Sequence, residues 1–373
     1  MNRIFIDCYT FEGEYQGTRT FIKEVYSKII QIELENNNSS NNRYYFVSND
    51  INQLKNDFEE NIFIQFVKSR IKNRTLRILF EYPILILKHK INIAHFQYVV
   101  PPIKFCKYVV TIHDILFCDF KNYFTKSYRL KNYLSFFISY IIADSVTTVS
   151  NHTKDNLKKH FYFNKNIKVT KNGVSDRFYN FKPLISNIDF YKRHNLRSYI
   201  LYVSRFEPRK NHISLLKAYV NGKHYKTYDL LLIGSITLNC EEFDKYYNYL
   251  DYEIKKYIRI INSGVNDNLL LEYYYFSSIF IYPSLFEGFG IPPLEASSMG
   301  KPVICSNLTA MKDFNFYGKY HIDPTISNLN LSLQKINILE DYSLVKSFII
   351  KEYNWEKTAK IFLKIFSDLI RND

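Results

Sequence analysis

The chain has 373 residues, of which 46% are hydrophobic, and this length favours two domains over one. The composition is typical of a globular protein and excludes an intrinsically disordered chain. Five scattered cysteines without a CxxC pair indicate neither a disulfide framework nor a zinc site, so we expect a reducing compartment. The N-terminal sequence predicts no signal peptide, and no uncharged apolar run reaches the roughly 18 residues that a membrane span needs.

The net charge of +14 is concentrated in the first half of the chain. Residues 1–200 contain 30 Lys and Arg against 17 Asp and Glu, whereas residues 201–373 contain 20 against 19. A basic half of this kind favours contact with nucleic acid, with an anionic membrane surface or with a phosphate-bearing substrate. The alternative is codon bias, because Lys, Asn, Ile and Tyr are abundant throughout the chain.

Short apolar segments alternate with helical segments along the first half, which predicts βαβ units and a parallel sheet. The predicted strands are RIFIDCY, YYFVSN, INIAHFQ, YVVTIHD, SVTTVS and IKVTKNG, and the helix FIKEVYSKIIQIELE follows the first of them. The apolar segment LSFFISYIIA, which begins at Leu134, is predicted to be a buried helix. A polar, irregular segment, FYNFKPLISN, then separates this series from the next.

A second series of strands, YILYVSR, YDLLLIGS, IRIINSG, IFIYPS and PVICSN, predicts a second doubly wound α/β domain. We place the first domain at residues 1–178, the second at 179–350 and a terminal helical segment at 351–373. Apolar residues at helical spacing from Trp355 to Leu369 predict that last helix. Because ligands bind beyond the carboxyl ends of the strands in open parallel sheets, polar motifs at those ends are the candidate sites.

The segment SLFEGFGIPPLEASSMG follows the predicted strand IFIYPS. Gly288 and Gly290 lack a Cβ, so the backbone there can approach a ligand closely, and Pro293 suits the first turn of a helix. Glu295 is then predicted in that first turn, where the helix dipole alone favours a carboxylate, and Glu287 is equally compatible with a solvated loop. Together the two acids fit a site that accepts hydrogen bonds from sugar or ribose hydroxyls.

Three cations follow the predicted strand YILYV in the segment SRFEPRKN. Arg205 and Arg209 offer planar donor forks, and Lys210 offers a mobile point charge, which together favour pyrophosphate binding. The alternative for this segment is an ordinary solvated loop.

Two weaker motifs follow strands of the first half. His113 and Asp114 follow KYVVTI, where the imidazole either transfers a proton or hydrogen-bonds a substrate, unless it is a satisfied structural histidine. Gln16, Gly17 and Thr18 precede the first helix, and a glycine beside a helix N-terminus favours an anion.

Several other motifs of phosphate and metal chemistry are missing. The sequence contains no GxxxxGK[ST], GxGxxG, GxSxG or Asp-x-Asp motif, and no His/Cys cluster at metal spacing. A bound phosphate is therefore expected to be neutralised by Arg and Lys, with no metal ion.

Taken together, these motifs resemble the retaining glycosyltransferases of family 4, which have the GT-B fold. The segments that carry the resemblance are the E-x7-E motif in SLFEGFGIPPLEASSMGKPVICSN, then YVSRFEPRKNHISLLKAY, TIHD, VTTVSNHTKDNL, KNGVSDRF and NWEKTA. They cover nearly the whole chain in the family's order. The resemblance implies an α/β GT-B architecture, in which two Rossmann-like domains face each other across a cleft and the last helix crosses back to the first domain.

The resemblance also implies a role for each candidate residue. Arg205 and Lys210 are expected to hold the donor diphosphate, Glu287 the hydroxyls of the transferred sugar and Glu295 the ribose. Further expectations place His113 at the reaction centre, Gly17 near the diphosphate and acceptor, and the backbone after IRIIN at the base. The implied catalytic set is His113, Arg205, Lys210 and Glu287, and the implied donor-binding set is Gly17, Arg209, Gly264, Val265, Gly288, Phe289, Gly290, Ile291, Leu294 and Glu295.

Two segments depart from the family pattern. The chain reads TAMKDF where family members often read PEV, and the first loop, EYQGTRT, has one glycine where a pair is common. Neither departure includes Arg205, Lys210, Glu287 or Glu295, although the first loop contains Gly17.

The implied activity is metal-independent, retaining transfer of a hexose to a glycan or lipid-linked glycan in surface polysaccharide biosynthesis. EGFGIPPLE resembles mannosyl- and rhamnosyltransferases most, which favours GDP-mannose over a UDP- or dTDP-sugar, with no separate cofactor. The expected location is the cytoplasm, with the basic, acceptor-binding half on the inner face of the plasma membrane. Two other classes remain open: a protein that binds or glycosylates nucleic acid, and a catalytically silent sugar-nucleotide-binding protein.

Overall fold

The computed structural model describes residues 1–13, 17–36, 41–162 and 165–371, and the chain folds into two compact units. Unit 1 consists of residues 1–172 and 355–373, and unit 2 consists of residues 173–354. The observed boundaries therefore lie after residues 172 and 354, where the sequence places them after residues 178 and 350.

Unit 1 contains a parallel sheet with the strand order β3-β2-β1-β4-β5-β6-β7. Its strands are β1 (Asn2–Asp7), β2 (Asn42–Ser48), β3 (Ile64–Lys68), β4 (Ile93–Gln97), β5 (Lys107–Thr111), β6 (Ser145–Thr148) and β7 (Ile167–Val169). The described helices are α1 (Gly17–Glu35), α2 (Ile51–Asp57), α3 (Arg74–Leu76), α4 (Tyr82–Lys88), α5 (Leu116–Asp119), α6 (Lys126–Ile142) and α7 (Asn151–Phe161). A π-helix, Arg77–Glu81, joins α3 to α4.

Unit 2 contains a second parallel sheet, with the strand order β10-β9-β8-β11-β12-β13. Its strands are β8 (Tyr199–Val203), β9 (Asp229–Ile233), β10 (Ile258–Ile261), β11 (Ile279–Tyr282), β12 (Val303–Ser306) and β13 (His321–Ile322). Its helices are α8 (Asp176–Tyr179), α9 (Asn187–His194), α10 (His212–Asn221), α11 (Glu241–Tyr249), α12 (Tyr252–Lys255), α13 (Asp267–Phe276), α14 (Ile291–Ser298), α15 (Ile326–Lys335) and α16 (Ser343–Glu352). A final helix, α17 (Trp355–Arg371), belongs to unit 1.

The predicted fold class is confirmed, because both units are Rossmann-like parallel sheets with helices. In unit 1 the strand order reverses after β3, since β1 to β3 run toward one edge and β4 to β7 toward the other. Right-handed crossovers then place α1 and α2 on one face of the sheet and α4, α6 and α7 on the opposite face. The last helix packs on α1, where Phe21 makes edge-to-face contacts with Trp355 and Phe362.

Sequence analysis missed two strands and misjudged one helix. Strand β13 has only two residues, and β3 lies at a sheet edge, where a short mixed sequence carries little periodic signal. The helix predicted to be buried at LSFFISYIIA is wrong in its burial, because Leu134, Ile138 and Ile141 are all exposed. Only one side of α6 packs on the sheet, through Phe136 and Tyr140. None of the helices in the described part of the chain combines the length and the apolar character that a membrane-spanning segment needs.

Candidate functional site

The loops after the two central strands of unit 2, β8 and β11, are joined by hydrogen bonds. The carbonyl of Arg209 accepts from the backbone N–H of Leu285 at 2.8 Å, and the Arg209 guanidinium donates to the carbonyl of Phe286 at 2.9 Å. Asn211, which directly precedes α10 with a left-handed backbone (φ 60°), donates from its side chain to the carbonyl of Pro283 at 3.2 Å. These contacts hold the segment SRFEPRKN against the segment SLFEGFG.

This arrangement brings Lys210 and Glu287 into a buried ion pair. Nζ of Lys210 lies 2.5 Å from Oε1 of Glu287, and the hydroxyl of Tyr282 donates to the same oxygen at 2.8 Å. Arg209 approaches the other oxygen, Oε2, at 3.4 Å. The Lys210 and Glu287 side chains are 8% and 10% exposed. Two residues that are 77 positions apart in the chain therefore form one charged unit.

The pKa values of the pair follow from burial and mutual charge. Burial alone raises the pKa of Glu287, but the positive charges of Lys210 and Arg209 outweigh it and lower that pKa to about 2. Burial lowers the pKa of Lys210, and Glu287 opposes that shift. The carboxylate is therefore ionised at neutral pH and carries its full charge in the site.

A second acid, Glu207, positions the two arginines of the same loop. Its carboxylate lies 2.6 Å from Nε of Arg209 and 3.2 Å from a terminal nitrogen of Arg205. Glu207 is buried and also accepts from the hydroxyl of Thr237. The Arg205 side chain, by contrast, is 41% exposed, so it is the cation of this loop most accessible to a ligand.

The glycine-rich turn leads directly into α14. Gly290 precedes the helix with φ +99°, and a Cβ there would lie 3.1 Å from Cγ of Met311. Phe289 packs edge-to-face on Phe314, and Leu294 is fully buried, so these two side chains belong to the core of unit 2. Gly288 and Ile291 are partly exposed beside them. Of this group, Phe289 and Leu294 therefore contribute packing more than a polar contact.

Glu295 occupies a different position from the one predicted. The helix begins at Ile291, so Glu295 is its fifth residue and lies beyond the first turn. The first turn is filled by Ile291, Pro292, Pro293 and Leu294, and it contains no acid. The carboxylate of Glu295 instead accepts a hydrogen bond from the Tyr274 hydroxyl at 2.9 Å. The dipole of α14 therefore does not explain the position of Glu295, and the hydrogen bond from Tyr274 is an observed contact of its carboxylate.

Other predicted residues lie elsewhere in the two units. Gly264, with φ +78°, and Val265 follow β10, which is an edge strand of the unit 2 sheet. Gly17 is the first residue of α1 in unit 1 and is exposed. Gln16, named with it from the sequence, lies outside the described residues.

His113 belongs to unit 1, where it follows β5 and lies in a buried network of neutral groups. Its Nε2 lies 2.8 Å from Oε1 of Gln97, and the Gln97 amide nitrogen lies 3.3 Å from Nε2 of His95. His95 also contacts Thr111 at 2.7 Å and Tyr26 at 2.6 Å. Because an amide oxygen only accepts, His113 donates to Gln97 from Nε2, and its Nδ1 is left as an acceptor.

Burial lowers the pKa of His113 to about 3, and burial followed by the charge of His113 lowers that of His95 to about 3. Both imidazoles are therefore neutral at physiological pH. The sequence left proton transfer and hydrogen bonding open for His113, and this arrangement favours hydrogen bonding.

The sequence analysis did not single out several members of these networks, among them Gln97, Glu207 and Tyr282. Glu207 lies inside a segment that was already singled out, between two arginines, which was the available signal. Gln97 and Tyr282 are the last residues of β4 and β11. A polar residue that ends a buried strand is thus the pattern that identifies both.

Two family models match the chain, and together they cover most of it. The model described as glycosyl transferases group 1 matches residues 187–355, and the model described as Glycosyltransferase Family 4 matches residues 47–178. The first match includes Arg205, Lys210, Glu287 and Glu295, and the second includes His113.

Among curated proteins, the chain is 31% identical to the O-antigen chain mannosyltransferase B of Escherichia coli, over 55% of this chain and 54% of that protein. It is 28% identical to the O-antigen chain mannosyltransferase RfbU of Salmonella typhimurium, over 58% of this chain and 56% of that protein. The match thus spans about half the length of these relatives.

Solved structures match the fold over almost the whole chain. Sucrose-phosphate synthase from Thermosynechococcus elongatus has a TM-score of 0.77 at 16% identity, with 100% of both chains covered. A glycosyltransferase from Rickettsia africae has a TM-score of 0.72 at 19% identity, with 100% of this chain and 99% of that chain covered. At such identities the likeness concerns the fold alone.

Proposed function

This chain belongs to the glycosyltransferase family that the two models describe, and on that premise we propose that it is a retaining, metal-independent mannosyltransferase that uses GDP-mannose. The acceptor would be a glycan or a lipid-linked glycan in surface polysaccharide biosynthesis, and the enzyme would act in the cytoplasm. The choice of mannose is supported by the two curated relatives, which are O-antigen chain mannosyltransferases. The observation that carries the proposal is the Lys210–Glu287 pair, with its arginines, beyond β8 and β11.

The cations of this cluster suit a departing diphosphate. Lys210 has three N–H donors, and among the described residues Glu287 and Tyr282 accept two of them, which leaves one for a phosphate oxygen. Arg205 adds a partly exposed guanidinium that Glu207 positions. Prepositioned cations of this kind stabilise the negative charge that develops as the sugar–phosphate bond breaks, without requiring a metal ion.

The two oxygens of Glu287 have different roles in this proposal. Oε1 already accepts from Lys210 and Tyr282, whereas Oε2 has Arg209 at 3.4 Å. A carboxylate oxygen accepts two hydrogen bonds, so Oε2 is the oxygen that would accept from hydroxyls of the transferred sugar. Glu295 would accept from the ribose. His113 would accept a hydrogen bond from a sugar hydroxyl at Nδ1, because its Nε2 carries the proton and donates to Gln97.

The donor assignment is tested by thermal unfolding in the presence of GDP-mannose, UDP-glucose and dTDP-rhamnose. Ligand binding to the folded state adds about 2.7 kcal/mol of stability at a hundred times the dissociation constant. We expect a rise in melting temperature with GDP-mannose alone. A shift with only a UDP- or dTDP-sugar would overturn the choice of nucleotide, and no shift with any would contradict the donor site.

Transfer itself is tested with the donor that binds and a panel of glycan and lipid-linked acceptors. Nucleotide release that depends on acceptor would support an enzyme over a silent binding protein. The anomeric configuration of the product, read by nuclear magnetic resonance, tests retention, and activity in excess chelator tests metal independence. We also propose that the basic first half of the chain contacts the membrane surface peripherally.

A further inference from the structure

Two helical segments of unit 1 have apolar side chains on their outer surfaces. In α6 these side chains recur at spacings of four, four and three residues, which places them in one stripe along the helix. They are 40% to 62% exposed and are Leu130, Leu134, Ile138 and Ile141. The segment from α3 through the π-helix to α4 has a second set, comprising Leu76, Leu79, Phe80, Ile84 and Leu87.

Both segments lie on the same face of the unit 1 sheet. Tyr82 and Ile86 of α4 belong to one core cluster with Phe136 and Tyr140 of α6, and that cluster includes residues of the strands beneath them. Each segment therefore buries one side against the sheet and turns its apolar stripe outward. The two stripes form parts of one outer surface.

The opposite face of the sheet is different. Among the large hydrophobic residues of α1 and α17 that the structure describes, only Leu34 is exposed. Scattered exposed apolar residues are normal, but aligned sets on adjacent elements mark an interaction surface. Aligned exposed apolar side chains are therefore found on the face of the sheet that carries α4 and α6, and not on α1 and α17 of the opposite face.

Lysines border both apolar stripes. In α6, Lys126 and Lys131 lie one helical turn before Leu130 and Leu134, and Lys126–Ile142 contains no Asp or Glu. Beside the other stripe, Lys72, Lys88 and Lys90 are exposed. In that segment, the acid of the π-helix, Glu81, is buried and accepts from Ser69 and from backbone N–H groups. Long lysine side chains beside an apolar stripe can reach phosphate groups while the stripe enters an acyl layer.

We propose that this surface, formed by the two apolar stripes and their bordering lysines, binds the interface of an anionic lipid bilayer. The proposal deepens the proposed function, on which it rests for its biological sense, since a lipid-linked acceptor lies in such a bilayer. Positive charge on the protein and negative charge on the lipid are complementary, and this favours a bilayer over a second, equally basic copy of the chain.

The surface is not the same as two basic segments of the sequence with which it overlaps, residues 67–80 and 121–133. Val67, Arg77 and Ile78 of the first segment are buried. The exposed apolar stripes instead continue beyond both segments, to Leu87 and to Ile141. The insertion of apolar side chains, and not charge alone, is therefore part of the proposal.

The test is co-sedimentation of the full chain with vesicles of phosphatidylcholine, with and without phosphatidylglycerol. The test variant carries Leu130→Ser, Leu134→Ser, Ile138→Ser and Ile141→Ser. A matched control removes four exposed apolar side chains of unit 2 through Leu184→Ser, Ile188→Ser, Leu339→Ser and Leu344→Ser. A charge variant carries Lys126→Gln and Lys131→Gln.

We expect the wild type to bind the anionic vesicles, and binding to weaken with salt. The test variant should bind more than about a hundredfold more weakly, because it removes apolar area that would be buried. The charge variant should bind about thirtyfold more weakly, and the control should bind like the wild type.

Failure of the wild type to bind, equal binding to uncharged vesicles, or equal losses in the test and control variants would each overturn the proposal. Dimers in light scattering that only the test variant abolishes, without vesicle binding, would assign the surface to a second copy. Thermal stabilisation of the test variant by nucleotide-sugar, measured without lipid, should equal that of the wild type. This measurement separates a failure of the lipid surface from a failure of the donor site.

Discussion

The two units use opposite chemistry at the carboxyl ends of their central strands. Beyond β8 and β11 of unit 2, two acids and three cations form a mostly buried ionic cluster. At the ends of β4 and β5 of unit 1, the buried groups around His113 are neutral and joined by hydrogen bonds. The contrast shows that one type of sheet can support both a buried ionic cluster and a buried network of neutral, hydrogen-bonded groups.

The largest effect should come from breaking the ion pair of unit 2. Glu287→Leu leaves Lys210 buried without its partner, and the expected loss in the free energy of unfolding is about 3–5 kcal/mol. The double variant Lys210→Met, Glu287→Leu should recover most of that loss, since no uncompensated charge remains. Urea unfolding of the single and double variants measures both quantities. A double variant as unstable as the single one would show that the two charges do not act as a pair.

The neutral network of unit 1 should make stability sensitive to mild acid. Burial lowers the pKa of His95 and His113 from 6.5 to about 3, so the unfolded chain takes up these protons first as the pH falls. Their contribution is complete above pH 6.5 and is lost toward pH 3, by about 1.4 kcal/mol per pH unit for each histidine.

The contribution of the Lys210–Glu287 pair to stability should stay constant over the upper part of that pH range. The pKa of Glu287 is lowered from 4.5 to about 2, so its contribution is present above pH 4.5 and is lost only as the pH falls toward 2. Urea unfolding of the wild type and of His113→Gln, compared between about pH 7 and pH 5, tests the contribution of the buried histidine to the pH dependence of stability. An unchanged pH slope in His113→Gln would contradict a neutral buried imidazole.

A smaller effect should follow from a side chain at Gly290. Alanine there must adopt φ +99° and place its Cβ 3.1 Å from Met311, and we expect a loss of about 1–3 kcal/mol in the free energy of unfolding. Gly264→Ala is the matched control, because φ is +78° there but no atom lies within 4 Å of the added Cβ. Equal losses in both variants would mean that backbone strain alone, and not the approach to Met311, requires glycine in the GFG turn.

The smallest effect on stability should come from Arg205→Gln. Its side chain is 41% exposed, so we expect little change in unfolding. The affinity for nucleotide-sugar, measured by isothermal titration, should nevertheless fall about tenfold, since a hydrogen bond to a charged group contributes about 1.5–3 kcal/mol. Lys245→Gln, which removes an exposed lysine from α11, should leave the affinity unchanged. Unaltered affinity in Arg205→Gln would remove this residue from the donor site.

The sequence alone determined the fold class and the segments that contain the candidate site. Alternating apolar runs indicated two parallel sheets, and the E-x7-E and SRFEPRKN motifs could be placed after particular strands because both signals are local. Local signals also explain the errors: the two-residue β13 has no periodicity, and an apolar run such as LSFFISYIIA does not show which of its sides packs on a sheet.

Only the tertiary structure decided which residues meet. The pairing of Lys210 with Glu287 depends on β8 and β11 being neighbours in the sheet, and the fold likewise decides the partners of Glu207, Tyr282 and Gln97. The pKa values depend on burial and on charges brought from distant positions, so no spacing predicts them. The tertiary structure also decided that the apolar stripe of α6 faces outward, because the exposure of a side chain depends on what packs against it and cannot be read from composition.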